Sequence, residues 1–216
     1  MSNIRVKYQT IEFDGLDLHI RILRDNQQYD DPDNIAKELG ISSALWPLFG
    51  QIWPSGIILA NLMSSYDIED KRILEVGCGI GLSSLVLNSR MANITSTDYH
   101  PSVGKFLNFN TKLNEDRDIP YIRTDWSDEN DDLGEFDLII GSDLLYEPNH
   151  IEVLSNFINQ HSKETCEVII IDPNRGYKNK FTKKMNSLGF ESIQTDASDA
   201  KNIENYKGKV ITYNRK

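Results

Sequence analysis

Little in this 216-residue chain suits an oxidising or membrane setting. It has two cysteines, Cys78 and Cys166. They are too few and too far apart for a disulfide framework or a metal-ligand set, so a reducing compartment fits and no metal is expected. No apolar run reaches membrane-spanning length, and Met1–Asp30 lacks the charged-then-apolar pattern of a secretory leader, so the cytoplasm is the expected location by elimination. Basic residues are scarce beside acidic ones, 23 Lys and Arg against 33 Asp and Glu, for a net charge of -10. Phosphate-binding surfaces need clustered Lys and Arg, and no run of either stands out here, so nucleic acid is not an expected partner and cationic ones are favoured. No Pro/Ser-rich linker interrupts the chain. Its length suits one domain over 1–216, read as an N-terminal extension at 1–30 and a core at 45–216.

Glycine, by contrast, is concentrated where it carries information. The run R-I-L-E-V-G-C-G-I-G-L-S-S-L at 72–85 joins an apolar strand to Gly77, Gly79 and Gly81 and then to a helical pattern. A strand, a glycine turn and a helix bring backbone close to a ligand, as in nucleotide-type cofactor sites. Dinucleotide loops place a third glycine one residue later, against a pyrophosphate at the helix N-terminus. Here the spacing is G-x-G-x-G with Glu75 just before it. A carboxylate there repels pyrophosphate and can receive an amino-acid ammonium, which favours S-adenosylmethionine over NAD. A tight turn without a ligand is the competing explanation, and the features downstream argue against it.

After residue 45, strand and helix patterns alternate. Strands are expected at Arg72–Val76, Asn93–Thr97, Tyr121–Thr124, Asp137–Gly141, Val168–Ile171, Ser192–Thr195 and Lys209–Tyr213. Fully apolar runs such as Val168–Ile171 fit a mostly parallel sheet covered on both faces. The last two strands have no helix between them, so an antiparallel edge is expected. Upstream, Tyr8–Phe13 and Leu16–Leu23 flank Asp14-Gly15, a two-residue hairpin turn signal. A helix is expected from Pro54 to about Ser65, while the Trp46-Pro47 and Trp53-Pro54 pairs break up the segment before it.

Candidate site residues fall at strand ends. Asp98 ends the second core strand about twenty residues past the first glycine, the place of the acid that accepts ribose hydroxyls; a turn-capping Asp before His100-Pro101 is the alternative. Asp125-Trp126 ends the third, offering a carboxylate for an exocyclic amine and an indole wall for adenine. G-S-D-L-L-Y-E at 141–147 sends Asp143 and Tyr146 toward the reactive end of a ligand; helix capping by Asp143 and packing of Tyr146 on the sheet would explain them without chemistry. D-P-N-R-G-Y at 172–177 brings Asp172 and Arg175 to the same rim, and a turn explains Pro173 and Gly176 but not Arg175.

The blocks G-Q-I-W-P-S-G, L-E-V-G-C-G-I-G-L, T-D-Y-H-P, D-W, G-S-D-L-L-Y-E and D-P-N-R, spread over Gly50 to Arg175, resemble class I, seven-β-strand S-adenosylmethionine-dependent methyltransferases. More narrowly they resemble the protein-lysine methyltransferase group that includes the electron-transfer-flavoprotein β-subunit lysine methyltransferases and bacterial relatives. The resemblance implies an α/β, Rossmann-like seven-stranded mostly parallel sheet with helices on both faces, extended here by the N-terminal β-hairpin. It implies cofactor contact by Trp53, Gly77, Cys78, Gly79, Asp98, Trp126 and Ser142, and a substrate-side role for Asp143 and Tyr146 as a D-x-x-Y motif. With Glu75, Gly81, Tyr99 and Asp125, these make the candidate cofactor set. Asp143 and Tyr146 are the candidate catalytic pair, and Arg175 is assigned to substrate. The expected reaction is methyl transfer to an amine nitrogen, of a protein lysine or, alternatively, of a small molecule; a non-catalytic cofactor-binding module is a third reading. The N-P-P-Y or D-P-P-Y tetrad of amino-group nucleic-acid methyltransferases is absent. A monomer acting on a protein is expected.

Overall fold

The computed structural model describes residues 4–128, 132–197 and 206–216; residues 1–3 of the expected extension lie outside this set. The extension is a hairpin, β1 (Val6–Phe13) and β2 (Leu16–Leu23), paired antiparallel with Phe13 opposite Leu16. Asp14 and Gly15 both have positive φ, 46° and 89°, the type I′ turn whose twist matches that of the flanking strands.

The remaining elements in chain order are α1 (Ile35–Glu38), a 3-10 turn at Trp46–Gly50, α2 (Pro54–Ser65), β3 (Arg72–Val76), α3 (Leu82–Ser89), β4 (Asn93–Asp98), α4 (Val103–Leu113), β5 (Tyr121–Arg123), β6 (Phe136–Ser142), α5 (His150–His161), β7 (Ser162–Asp172), α6 (Lys178–Ser187), β8 (Glu191–Asp196) and β9 (Lys209–Arg215). Pro54 opens α2 at its first turn, where its missing N–H costs nothing.

Strands β3 to β9 form one seven-stranded sheet in the order β5-β4-β3-β6-β7-β9-β8. All neighbours from β5 to β7 are parallel, and β9 is antiparallel to both β7 and β8. The reversed strand therefore lies one in from the edge, and β8, the edge itself, runs with the majority. Alternate residues of the central strands feed two cores. Ile73, Leu138, Ile140, Ile169 and Ile171 pack with α2, α3 and the inner face of the hairpin, while Leu74, Ile139, Val168 and Ile170 pack with α5 and α6. This two-sided burial is why these strands read as continuous apolar runs.

Helix α4 fastens the hairpin to the core. Asn110 and Asn114, one turn apart, each accept from and donate to the free edge of β2. Asn110 bonds Arg21 N–H at 2.8 Å and its carbonyl at 3.2 Å, and Asn114 bonds His19 N–H at 2.8 Å and its carbonyl at 2.7 Å. Four residues of helix rise about 6 Å and two residues of strand about 6.8 Å, so two side-chain amides can stand in for a neighbouring strand.

Strand order changes direction between β3 and β6: β4 and β5 lie to one side of β3, β6 and β7 to the other. Ligands of open α/β sheets bind outside the carboxyl ends of strands at such a switch point.

Candidate active site

A cavity of about 840 Å³ opens at that switch point. Its walls come from the turns after β3, β4, β5, β6 and β7 and from the 39–53 segment, and it brings together residues that span Leu39 to Arg175 in sequence. Of the sequence candidates, Trp53, Glu75, Gly77, Cys78, Gly79, Asp98, Tyr99, Asp125, Trp126, Ser142, Asp143, Tyr146 and Arg175 all line it. Gly81 does not; it takes φ 75° and begins α3.

The glycine loop is closed on itself. Cys78 N–H donates to the Thr97 carbonyl at 3.0 Å, Gly81 N–H to the Cys78 carbonyl at 2.8 Å, and Gly79 N–H to the Asp98 carboxylate at 2.9 Å. These three donors are therefore not available to a pyrophosphate. Gly79, at φ 54°, needs to be glycine: a Cβ there would stand 3.1 Å from the Phe49 carbonyl oxygen and fill the approach to the cavity.

Behind the loop Glu75 is buried and Asp98 part-buried, and neither is bonded to a cation among the described residues. Glu75, 3% exposed, accepts from the Ser84 hydroxyl and, at 2.9 Å, from the Ser84 N–H, which ties β3 to the start of α3. Burial, only partly offset by these hydrogen bonds, pushes its pKa from 4.5 up to about 7. Asp98 accepts from Gly79 N–H and, at 2.8 Å, from His100 N–H, and burial raises its pKa as well. Burial also pushes the Cys78 thiol well above its ordinary value. At the end of β5, Asp125 Oδ1 accepts from the Ser127 N–H at 2.7 Å and hydroxyl at 2.6 Å, and Trp126 meets His150 edge-on at 5.0 Å between ring centroids.

Asp143 follows β6 with φ 55° and donates its N–H to the Ile171 carbonyl at 2.9 Å. It makes no capping bond to α5. Its carboxylate is instead gripped by Arg175, so two residues read separately from the sequence form one unit. Tyr146 is 48% exposed and stands edge-on to His150 at 4.5 Å, not packed on the sheet. Partial burial of its phenol and the negative Asp98, Glu147 and Asp143 push its pKa up to about 12, so it acts as a hydroxyl, not a base. Asp172 is fully buried and accepts from Asn174 N–H at 2.7 Å, which ties down the turn that carries Arg175.

Sequence reasoning missed the roof of the cavity. Leu39, Ile41, Leu45 and Leu48 line it, with Tyr99 donating to the Leu39 carbonyl at 2.6 Å, and Phe49 stacks on His100 at 4.1 Å. Burial pushes the His100 pKa from 6.5 down to about 4, leaving a neutral ring. The broken pattern of 36–50 gave no periodicity to read, and His100 resembles an ordinary pre-proline turn residue.

Five carboxylates line the cavity, Glu75, Asp98, Asp125, Asp143 and Glu147, against a single Lys or Arg among the described residues, Arg175. A negative cavity with a closed glycine loop suits a ligand that brings cationic and hydroxyl groups, and S-adenosylmethionine has an ammonium, a sulfonium and a ribose diol. No group of three or more His, Cys, Asp or Glu among the described residues is arranged to hold a metal ion.

The fold and this rim define a class I methyltransferase architecture. A model of the lysine methyltransferase family matches residues 37–188, and the chain belongs to that family. It is 28% identical over 170 residues to the bovine (Bos taurus) protein-lysine methyltransferase METTL21E, covering 72% of this chain and 58% of that one. It is 31% identical over 119 residues to the zebrafish (Danio rerio) protein N-lysine methyltransferase METTL21A, covering 51% of this chain and 50% of that one. The chain thus spans between half and three fifths of these two relatives. Among solved structures, a TehB-like SAM-dependent methyltransferase from Corynebacterium glutamicum superposes with a TM-score of 0.61 at 18% identity, over 85% of this chain and 97% of that one. That likeness concerns the fold.

Proposed function

We propose that this protein transfers the methyl group of S-adenosylmethionine to the side-chain amine of lysine in a protein. The observation that carries the reading is the negative cavity, whose acids are unneutralised at its cofactor end and paired with Arg175 at its acceptor end. Family membership supports the same chemistry. When bound, the cofactor supplies an electrophilic methyl group on a sulfonium. Glu75 and the glycine loop would hold its amino-acid end, Asp98 the ribose, and Asp125 and Trp126 the adenine. Asp143 accepts an N–H of the incoming amine, which fixes the direction of its lone pair. Tyr146 and Trp53, each more than a third exposed, flank the acceptor route.

The half-exposed Tyr146 and Arg175 leave the acceptor end open, which suits a side chain presented by a protein more than an enclosed metabolite. The acidic mouth disfavours nucleic acid. We read residues 1–216 as one catalytic unit acting as a monomer in the cytoplasm. Two buried free thiols are in keeping with a reducing compartment, and no helix among the described residues is long and apolar enough to cross a membrane.

The test is to incubate the protein and S-adenosylmethionine bearing a labelled methyl group with an extract of its own cells, with an Asp143→Ala protein as blank. Label in a discrete, protease-sensitive band that yields methyl-lysine on hydrolysis supports the reading. Label confined to small molecules replaces it with a metabolite N-methyltransferase.

A further inference from the structure

Arg175 holds the carboxylate of Asp143 by both oxygens. Nε donates to Oδ1 at 2.6 Å and Nη2 to Oδ2 at 2.8 Å, a fork-to-fork pair that fixes geometry as well as charge. The Asp143 side chain is 12% exposed and that of Arg175 44%. Both partners are presented by unusual backbone. Asp143 sits at φ 55°, and Arg175 follows Asn174 at φ 71°. Left-handed conformations at non-glycine residues are uncommon and persist where the surroundings enforce them. Asp172 does the enforcing on one side, through its bond to Asn174 N–H, and β7 on the other, through the Ile171 carbonyl.

We propose that Arg175 is a positioning residue acting through Asp143: by neutralising that carboxylate it lets the acceptor lysine sit beside it as the free amine instead of the ammonium. The inference rests on the lysine methyltransferase reading and adds a role to it. A bare carboxylate at about 4–6 Å raises an amine's pKa by about 1–3 units, on top of about 10.4 for free lysine, and so starves the reaction of the lone pair it needs. A guanidinium locked to the same carboxylate cancels much of that field. It does not use up the acceptor: an ionised carboxylate has about four lone-pair sites, so one N–H bond from the substrate remains possible.

The other charged and titratable groups around the pair do not supply this neutralisation. Asp172 lies behind it at the end of β7, Tyr206 faces it from the segment before β9, and Tyr146 and Glu147 share the Asp143 loop. Lys178, the nearby cation on α6, donates to Gln194 at 3.2 Å. Without Arg175 no Lys or Arg among the described residues lines the cavity.

The test is the pH dependence of the initial rate of methyl transfer into the labelled band, between pH 6.5 and 10. The proteins compared are wild type, Arg175→Gln, Arg175→Lys, Asp143→Asn and the double variant. Thermal melts with S-adenosylhomocysteine confirm that each is folded. Arg175→Gln is expected to displace the rising limb upward by about one to two units, a rate loss of about 10- to 100-fold that holds at every pH along the limb. Arg175→Lys, which keeps the charge, restores at least half of the displacement. In the Asp143→Asn background, Arg175→Gln no longer moves the limb. Methyl-lysine formed with no loss in Arg175→Gln overturns this proposal alone, as does a loss of the same size in both backgrounds. Methyl recovered on arginine or histidine instead overturns the lysine reading and this proposal with it.

Discussion

At the ends of β3 and β4 the carboxylates of buried Glu75 and part-buried Asp98 are bonded to backbone N–H groups and one hydroxyl, and to no cation among the described residues. At the end of β6 the carboxylate of Asp143 meets a guanidinium. The same kind of side chain is thus handled in opposite ways some distance apart on one rim. Burial at the first place raises the pKa values, and a site with no cation beside its acids favours a ligand that brings positive charge. Charge compensated at the second leaves a hydrogen-bond acceptor with little net field. A cofactor that must be held and an amine that must stay neutral ask for this difference.

The harshest way to break the comparison is to close the first half. Gly79→Arg sets a side chain on a left-handed backbone facing Phe49, and calorimetry is expected to show cofactor affinity lowered by at least about 100-fold, or ~2.7 kcal/mol. Unchanged affinity would move the cofactor away from the loop. Next in size, Asp143→Ala should lower turnover by about 100-fold or more while cofactor affinity stays within about twofold, because it removes only a group that meets the reacting nitrogen. The opposite pattern, affinity lost and turnover per bound cofactor kept, would place Asp143 in the first half and erase the distinction.

A smaller effect sharpens it. Burial lifts the Glu75 pKa from 4.5 to about 7, so the folded state holds this proton more tightly than the unfolded chain. The stability associated with the group is therefore fully present below pH 4.5 and lost as pH rises through about 7. Glu75→Gln should melt higher than wild type at pH 8, in the absence of cofactor, by the equivalent of about 1–3 kcal/mol, with the gap closing toward pH 4.5. A gap independent of pH would show that Glu75 is not the titrating group.

Much of the cofactor half could be read from residue order. The turn from β3 to α3 is set by adjacent residues, and so is the Asp14-Gly15 hairpin, whose two positive φ values are those its dipeptide favours. Asp98 was legible because a strand, a helix and a strand of ordinary length fix its distance from the glycines. The acceptor half was legible only in pieces. Asp143, Tyr146 and Arg175 stood out as polar residues at strand ends, yet Arg175 read as a substrate contact, since nothing within six residues of it names its partner. The roof over the cavity escaped because its broken 3-10 and coil segment has no period, and its burial comes entirely from what it covers.

The sequence by itself determined the strands and helices, their alternation, the hairpin turn and the glycine loop, because each depends on the conformational preferences and apolar spacing of neighbours in the chain. Only the tertiary structure decided three further things: that β9 enters the sheet between β7 and β8, that Asn110 and Asn114 complete the edge of β2, and that Arg175 closes on Asp143 across 32 residues. These are pairings between surfaces distant in sequence, where many partners share the same chemistry. The choice among them is made by the sheet that sets each strand end, and with it each side chain, at a fixed distance from the next.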